Sequence, residues 1–183
     1  MSELLLGCGS SREKRFTLNG GRPEWVALTT LDHNIDHKPD VVHDMESLPL
    51  PFGDDSFGEI HAYECLEHVG KQGDWRFFFA QWSDFWRILK PGGLFFATCP
   101  AANSPWAWGD PSHTRVIGPE CLIFLSQPSY DQVGKTAMSD FRFVYKADFD
   151  LLHTNTEGGQ FVFVLQAVKP SRGVKHATHA SES

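Results

Sequence analysis

The sequence contains no run of lysine and arginine and no basic stripe. Its 16 Lys and Arg are outnumbered by 23 Asp and Glu, which leaves a formal net charge of −7. A nucleic-acid groove needs clustered positive charge, so this composition argues against a nucleic-acid partner. The sequence also lacks a signal peptide and any apolar run of about eighteen residues, so we expect a cytoplasmic protein that binds no membrane.

Cysteine is equally sparse. The 4 cysteines are far apart and form no Cys-x-x-Cys pair, which predicts free thiols rather than a zinc site or a disulfide framework. His33, His37 and His43 are close in sequence, but no Cys or Glu stands at ligand spacing from them. We interpret these histidines as loop residues and predict no metal.

No internal repeat and no linker divides the 183 residues, a length that suits one domain. We assign residues 1–170 to this domain and predict that the polar residues 171–183 form a disordered tail. The 15 Phe and 6 Trp predict a core with prominent aromatic packing.

The most informative stretch is residues 4–11. Three leucines end in a Gly-x-Gly turn at 7–9, which is typical of a buried strand that enters a tight turn. Glycine lets the backbone bend sharply and lets a ligand approach closely. A serine cap and a short helix near Arg12 would complete a nucleotide-cradling geometry. The turn alone is equally consistent with a plain strand end.

Runs of apolar residues predict a series of strands separated by short connections. The predicted strands are 4–6, 25–31, 41–42, 57–63, 94–98, 141–152 and 160–168. The clearest helix is 75–89, with Asp74 as N-cap and an aromatic stripe that indicates core packing rather than base stacking. A short helix is expected at 119–126. This order predicts a mostly parallel sheet with a closing antiparallel hairpin.

Ligands of such a sheet bind at the carboxyl ends of its strands. Asp32 ends the second predicted strand about twenty residues after the glycine turn, as a ribose-binding carboxylate requires. Asp44 follows the third strand and could accept a hydrogen bond from an exocyclic amine such as that of adenine. Either aspartate is also explained as an ordinary turn residue.

Several segments in order resemble the class I S-adenosylmethionine-dependent methyltransferases, in particular the type-11 methyltransferase domain. The resemblance covers roughly residues 3–100. Its most specific pieces are Leu-Glu-His-Val at 66–69 and Leu-Lys-Pro-Gly-Gly at 89–93. It implies a Rossmann-like, doubly wound α/β fold with a mostly parallel seven-stranded sheet, and S-adenosyl-L-methionine as cofactor.

The resemblance also implies a set of cofactor-binding residues, which are Gly7, Cys8, Gly9, Asp32, His33, Asp44, Met45, Tyr63 and Glu64. In this arrangement the glycine turn lies against the methionine part of the cofactor, and Asp32 holds the ribose hydroxyls. Asp44 and the backbone of Met45 meet the adenine, and Tyr63 and Glu64 line the methionine end.

The loop after the fifth strand is where acceptor-binding residues are expected. Trp108, His113 and Arg115 are the candidates, and a packed loop with a solvated Arg115 is the alternative. His68 and His113 are candidate general bases, because the ordinary pKa of histidine lies near neutrality. In the family, the histidine corresponding to His68 is more often structural.

The sequence departs from the family pattern at two places. Leu5 stands where an acidic residue is usual, and Ser11 stands where a third glycine is usual. We also expect no counterpart of the helices that precede the first strand in the family. We expect a methyltransferase that acts on a small-molecule or other non-nucleic-acid acceptor. The alternatives are a cofactor-binding module without turnover and, less favoured, a nicotinamide-dependent oxidoreductase.

The fourth strand predicts a thinly covered sheet face. By alternation, Glu59, His61 and Tyr63 share one face, while Ile60 and Ala62 take the other. We expect the aromatic helix on the Ile60 side. The Glu59 side should be partly open, covered by a loop, or covered by a second subunit in a homodimer.

Overall fold

The computed structural model describes residues 2–18 and 20–173, and its strands build one seven-stranded sheet. The strands are β1 (Glu3–Leu6), β2 (Leu28–Asp32), β3 (Val41–Val42), β4 (Phe57–Tyr63), β5 (Leu89–Pro100), β6 (Phe149–Glu157) and β7 (Gln160–Ala167). Their order across the sheet is β3-β2-β1-β4-β5-β7-β6. The first five strands are parallel, and β7 runs antiparallel between β5 and β6. The predicted Rossmann-like α/β architecture is confirmed.

The aromatic helix α1 (Trp75–Ile88) covers one face of the sheet. The side chain of Asp74 caps it by accepting the N–H of Phe77 at 3.1 Å. Trp82, which is fully buried, packs on Phe95 of β5 with ring centroids 5.0 Å apart. Phe95 is paired with Ile60 of β4, so the helix lies on the Ile60 face, as predicted.

The opposite face of β4 is covered by a loop, which is one of the expected coverings. His61 is fully buried there. Trp25 packs edge-on against its ring with centroids 4.9 Å apart. The ammonium of Lys14 lies 2.8 Å from Glu59. The loop residues around Lys14 and Trp25 therefore replace a covering helix, and this face needs no second subunit to be shielded.

The short helix expected near Arg12 does not form, and the described residues between β1 and β2 contain no helix. The guanidinium of Arg12 donates to the carbonyl oxygens of Gly9 and His37, both at 2.8 Å. The backbone carbonyl of Arg12 accepts the indole N–H of Trp25. These bonds tie the segment to its neighbours, and the second strand begins at Leu28 rather than at residue 25.

The largest difference from the predicted strands is at residues 141–148, which turn instead of pairing. The hydroxyl of Tyr145 donates to the carbonyl of Leu125 at 3.1 Å, so this stretch packs against the segment that contains Leu125, and β6 starts only at Phe149. The strand predicted at 94–98 extends over the whole of β5. The predicted helix at 119–126 is a one-turn α3 (Pro119–Leu122) followed by a 3₁₀ turn, and a one-turn α2 (Trp106–Gly109) lies in the long loop.

Two other expectations concern the C-terminal tail and membrane-spanning helices. The predicted tail lies outside the described residues from 174 onward. Arg172, inside the predicted tail, pairs with the buried carboxylate of Asp148 at 2.8 Å. Within the described ranges, no helix is both long and apolar enough to cross a membrane.

Candidate functional site

A cleft of about 550 Å³ opens at the carboxyl ends of β1, β2 and β4. Its lining residues are Gly7, Gly9, Asp32, His33, His37, His43, Asp44, Met45, Glu46, Glu64, Cys65, His68, Val69 and Ser112. Most of the residues expected to bind the cofactor are in this set. Parallel strands end at a common edge, so the topology explains why positions so distant in sequence meet here.

The glycine turn forms one wall of the cleft. Gly7 and Gly9 both adopt left-handed conformations, with φ of 56° and 51°. A Cβ on Gly7 would lie 2.6 Å from Cβ of Cys65, whereas a Cβ on Gly9 would meet nothing within 4 Å. The backbone at Gly7 is therefore pressed against the segment after β4, and the backbone at Gly9 has open space beside it.

Asp32 is held rigidly at the end of β2. Its two carboxylate oxygens accept the backbone N–H groups of Gly9 and Asn34, each at 2.9 Å. Burial opposes ionisation, but the N–H donors, together with His37, hold the pKa of Asp32 below its ordinary value. An ionised carboxylate keeps further lone pairs that can accept hydrogen bonds from a ligand.

Polar residues on the neighbouring turns support this wall. The imidazole Nδ1 of His37 lies 3.3 Å from a carboxylate oxygen of Asp32. His43 directs Nε2 to the carbonyl of Ser47 at 2.8 Å. Both histidines line the cleft, although their spacing indicated only loop residues. Their positions in the sequence place them near Asp32 and Asp44, but sequence spacing does not show in which direction a side chain points.

The turn after β4 contributes the opposite wall. Glu64 has a left-handed backbone with φ of 49°, which is uncommon for a residue with a side chain. Its carboxylate accepts the amide of Gln160 at 2.7 Å. The carboxylate of Glu46 accepts the N–H of Gly70 at 2.8 Å. These contacts connect the cleft to β7 and to the loop before α1.

Two expected cofactor-binding residues do not line the cleft. Cys8 and Tyr63 border a small cavity with Arg15 on the other side of the sheet. The reason is strand alternation, which places Tyr63 with His61 and Glu59, and the hydroxyl of Tyr63 donates to Nδ1 of His61 at 2.6 Å. The expectation that the Tyr63 side chain lines the methionine end is therefore corrected.

The loop after β5 reaches the cleft through Ser112, but its expected acceptor-binding side chains are placed differently. Trp108 is 71% exposed and donates to the carbonyl of Ala102. Arg115 is buried, and its guanidinium donates to the carbonyl of Leu66 at 2.9 Å and to Gln81 at 2.6 Å. A buried guanidinium requires nearby acceptors, which Leu66 and Gln81 provide. Arg115 also lines a separate cavity beside α1.

The two candidate bases meet at the rim of the cleft. The rings of His68 and His113 pack with centroids 4.7 Å apart. His68 lines the cleft, whereas His113 is not among the lining residues. Between β4 and this loop, Glu67 is almost fully buried. Burial, with the negative charge of Glu64 adding to it, raises the pKa of the Glu67 carboxyl to about 7.

The charge of the cleft is negative. Carboxylates and imidazoles provide its ionisable groups, and among the described residues that line it there is no lysine or arginine. Such a cleft favours ligands with cationic groups and disfavours phosphates.

A family model described as "Methyltransferase domain" matches residues 4–97. The chain belongs to this family. Class I S-adenosylmethionine-dependent methyltransferases share the architecture described above, and S-adenosylmethionine is the family's cofactor. No curated protein matches the chain by sequence.

Solved structures show how widely the fold extends. A SAM-dependent methyltransferase from Archaeoglobus fulgidus is 13% identical over 90% of this chain and 85% of its own, with a TM-score of 0.54. The N-methyltransferase NodS from Bradyrhizobium japonicum, in complex with S-adenosyl-L-homocysteine, is 13% identical over 91% of this chain and 77% of its own, with the same TM-score of 0.54. The [4+2]-cyclase SpnF is 15% identical over 91% of this chain and 75% of its own, also at 0.54. These likenesses establish the fold, and the function has to be argued from the site.

The residues of the cleft fit this cofactor. Asp32 presents an ionised carboxylate beside an open glycine backbone, which suits a ribose diol. Met45 offers an apolar surface near Asp44, which suits a purine ring and its amine. The carboxylates of the cleft suit the positive charge of a sulfonium and an ammonium group.

Proposed function

We propose that this protein transfers the methyl group of S-adenosylmethionine, bound in the cleft, to a small-molecule acceptor that enters beside His68 and Ser112. The cofactor supplies a methyl group activated by the positive charge of its sulfonium. The protein has to hold that group in line with the acceptor, which is a matter of proximity and orientation.

The observation that carries this proposal is the chemistry around the glycine turn. A dinucleotide site places a pyrophosphate at the N-terminus of the helix after the first strand. No helix follows β1 among the described residues, and the cleft is lined by carboxylates instead of cations. A ligand that has ribose and adenine but no phosphate matches both features. The nicotinamide alternative is accordingly not favoured.

In this proposal, each wall has a separate task. Gly9 and Asp32 receive the ribose, and Asp44 with the backbone of Met45 receives the adenine. Glu64, whose backbone is held by the N–H···O bond to Thr98 at 2.9 Å, faces the methionine end. The turn at 64–69 thus orients the methyl group toward the rim where the acceptor enters.

His68 is the proposed proton acceptor for substrates that lose a proton on methylation. Its Nδ1 lies 3.2 Å from the carbonyl oxygen of Ser112, so Nδ1 carries the hydrogen and donates it. This tautomer leaves the lone pair on Nε2. His113 packs against His68 and acts by orienting its ring. Acceptors without an exchangeable proton would not require His68.

Calorimetry and turnover separate this proposal from its alternative. We expect S-adenosylmethionine and S-adenosylhomocysteine to bind with one site each. We also expect the protein to release S-adenosylhomocysteine with at least one member of a panel of hydroxyl, amine and thiol acceptors. Binding of both ligands with no release across the panel would favour a module without turnover. Failure of both ligands to bind would refute the proposal.

A further inference from the structure

Three side chains at the rim of the cleft form a cluster whose arrangement the proposed methyl transfer does not explain. One ligand atom from each of Glu67, His68 and His113 can be chosen so that all three lie within 4.8 Å of one another. The three residues come from the turn after β4 and from the loop after β5. Their convergence was not expected from the sequence, because 45 positions separate His68 from His113.

The first observation concerns Glu67, whose side chain is only 3% exposed. Neither of its carboxylate oxygens has a hydrogen-bond partner among the described residues. The buried guanidinium of Arg115 is directed to Leu66 and Gln81 instead. The thiol of Cys99 lies close to this carboxylate but is only a weak donor. Buried carboxylates are normally paired or bound to an ion, so this group requires a stronger partner than the protein side chains supply.

The second observation concerns the two imidazoles. His68 uses Nδ1 to contact the carbonyl of Ser112 at 3.2 Å, and His113 uses Nδ1 to contact the carbonyl of Trp106 at 2.9 Å. A carbonyl only accepts, so both Nδ1 atoms carry hydrogen, and in the neutral imidazoles both Nε2 atoms have the lone pair. Metal-binding histidines are held in the same way, with one ring nitrogen donating to a backbone carbonyl while the other binds the ion.

The third observation concerns the framework. The backbone carbonyl of Glu67 accepts the N–H of Thr114 at 2.9 Å and the N–H of Arg115 at 3.3 Å. The hydroxyl of Thr114 donates to the same carbonyl at 3.1 Å. The two segments that carry the cluster are therefore bonded to each other directly beside it, which limits how far their side chains can separate.

We propose that Glu67, His68 and His113 form a binding site for one divalent transition-metal ion of the zinc class. Two imidazole nitrogens and a carboxylate oxygen are a ligand set that zinc accepts, with bonds of about 2.0–2.2 Å. Tetrahedral bonds of this length put ligand atoms roughly 3.3 Å apart. Nε2 of His68 now lies 4.0 Å from Oε1 of Glu67, and the side chain of His68 is 38% exposed, so a small rotation closes the site.

Three protein ligands leave a coordination position for another molecule. His68 belongs both to this cluster and to the lining of the cleft. Resting on the proposed function, this placement indicates an acceptor that binds the ion through an oxygen, nitrogen or sulfur atom. With its Nε2 on the ion, His68 would no longer accept the proton, and the ion would instead lower the pKa of the bound acceptor so that its proton is lost to water. Asp110 has a carboxylate oxygen 3.8 Å from Nε2 of His113, and it is a candidate for outer contacts.

Metal titration of the chelator-treated full chain tests the site without S-adenosylmethionine. We expect calorimetry to give one Zn²⁺ per chain, and Co²⁺ to give visible absorption of a tetrahedral N/O site. Glu67→Gln and His113→Gln should each weaken Zn²⁺ binding by at least about 100-fold, beyond the 10–100-fold typical of outer residues. His43→Gln is the matched control, because Nε2 of His43 is already engaged by Ser47.

Circular dichroism should show that the variants are folded. If either variant does not fold, His68→Gln replaces it, since His68 is exposed. Absence of Zn²⁺ binding by the wild-type chain would overturn the proposal, as would wild-type affinity in both ligand variants or an equal loss in His43→Gln. Because these titrations contain no cofactor, a failure of the metal site and a failure of methyl transfer are separate results.

Discussion

At the residue scale, Asp32 is the side chain on which cofactor recognition depends most. Replacing it by asparagine keeps its shape but removes the charge that its backbone donors stabilise. A hydrogen bond to a charged group contributes about 1.5–3 kcal/mol, so we expect binding of S-adenosylmethionine to weaken by at least about 1 kcal/mol. Titration calorimetry measures this change. Asp36→Asn, at an exposed position of the neighbouring turn, should bind as the wild type does.

The two glycines of the first turn allow a second comparison. Gly7→Ala and Gly9→Ala both place a Cβ on a left-handed backbone, which costs about 1–2 kcal/mol. Only the first also forces a Cβ to within 2.6 Å of Cys65. We therefore expect Gly7→Ala to lower the free energy of unfolding by about 1–3 kcal/mol more than Gly9→Ala does. Urea unfolding of both variants measures the difference, and equal values would show that the turn can shift away from Cys65.

At the element scale, the loop over β4 predicts a response to acid. A hydrogen bond from His61, helped by Lys14 and opposed by burial, lowers the pKa of Glu59 to about 2 from an ordinary value of 4.5. A carboxyl group whose pKa is lowered on folding stabilises the folded state at pH values above its unfolded-state pKa. This stabilisation is lost as the pH falls from about 4.5 to 2.

Glu59→Gln should remove that dependence. We expect the variant to lose about 1–2 kcal/mol at pH 6, allowing for partial solvent screening, and to show a flatter stability curve between pH 4.5 and 2. Urea unfolding across this range is the measurement. Glu24→Gln, at an exposed position of the same loop, should keep the wild-type slope. An unchanged slope in Glu59→Gln would mean that other groups account for the acid sensitivity.

The elements differ in how well the sequence predicts them. β4 and α1 are found within a residue of their predicted ends, because strict alternation, a capping Asp74 and a closing Pro-Gly-Gly act locally. The segment 141–148 has strand-forming residues, but burial of Tyr145 against Leu125 outweighs that propensity. The burial of Arg115 was not predicted for a related reason. The sequence does not show which hydrogen-bond acceptors will surround a buried guanidinium.

The cleft residues that the sequence predicted are those that lie at strand ends. Gly7, Asp32 and Asp44 follow strands, so topology alone brings them to one edge. Tyr63 also ends a strand, but alternation turns its side chain to the opposite face. The cluster of Glu67 with His68 and His113 depends on the path of a long loop, and no local pattern determines that path.

At the scale of the whole molecule, cofactor binding should stabilise the fold. A ligand present at a hundred times its Kd, and bound only by the folded state, adds about 2.7 kcal/mol. For a chain of this size that corresponds to a rise in Tm of about 5–10 °C with S-adenosylmethionine. Differential scanning fluorimetry measures the shift. NAD and NADH are the comparison ligands, and a larger shift with either would reverse the order of the two hypotheses.

The hydrogen bonds that join the turn after β4 to the loop after β5 also affect which substitutions the protein can tolerate during evolution. The carbonyl of Glu67 holds residues 114–115, and the N–H of Ser104 donates to the carbonyl of Ala101 at 2.7 Å, so the loop is anchored near both ends. Between these anchors, Trp106 and Trp108 are about 70% exposed and support little of the core. Trp106 and Trp108 can therefore accumulate substitutions while the cofactor wall is inherited intact.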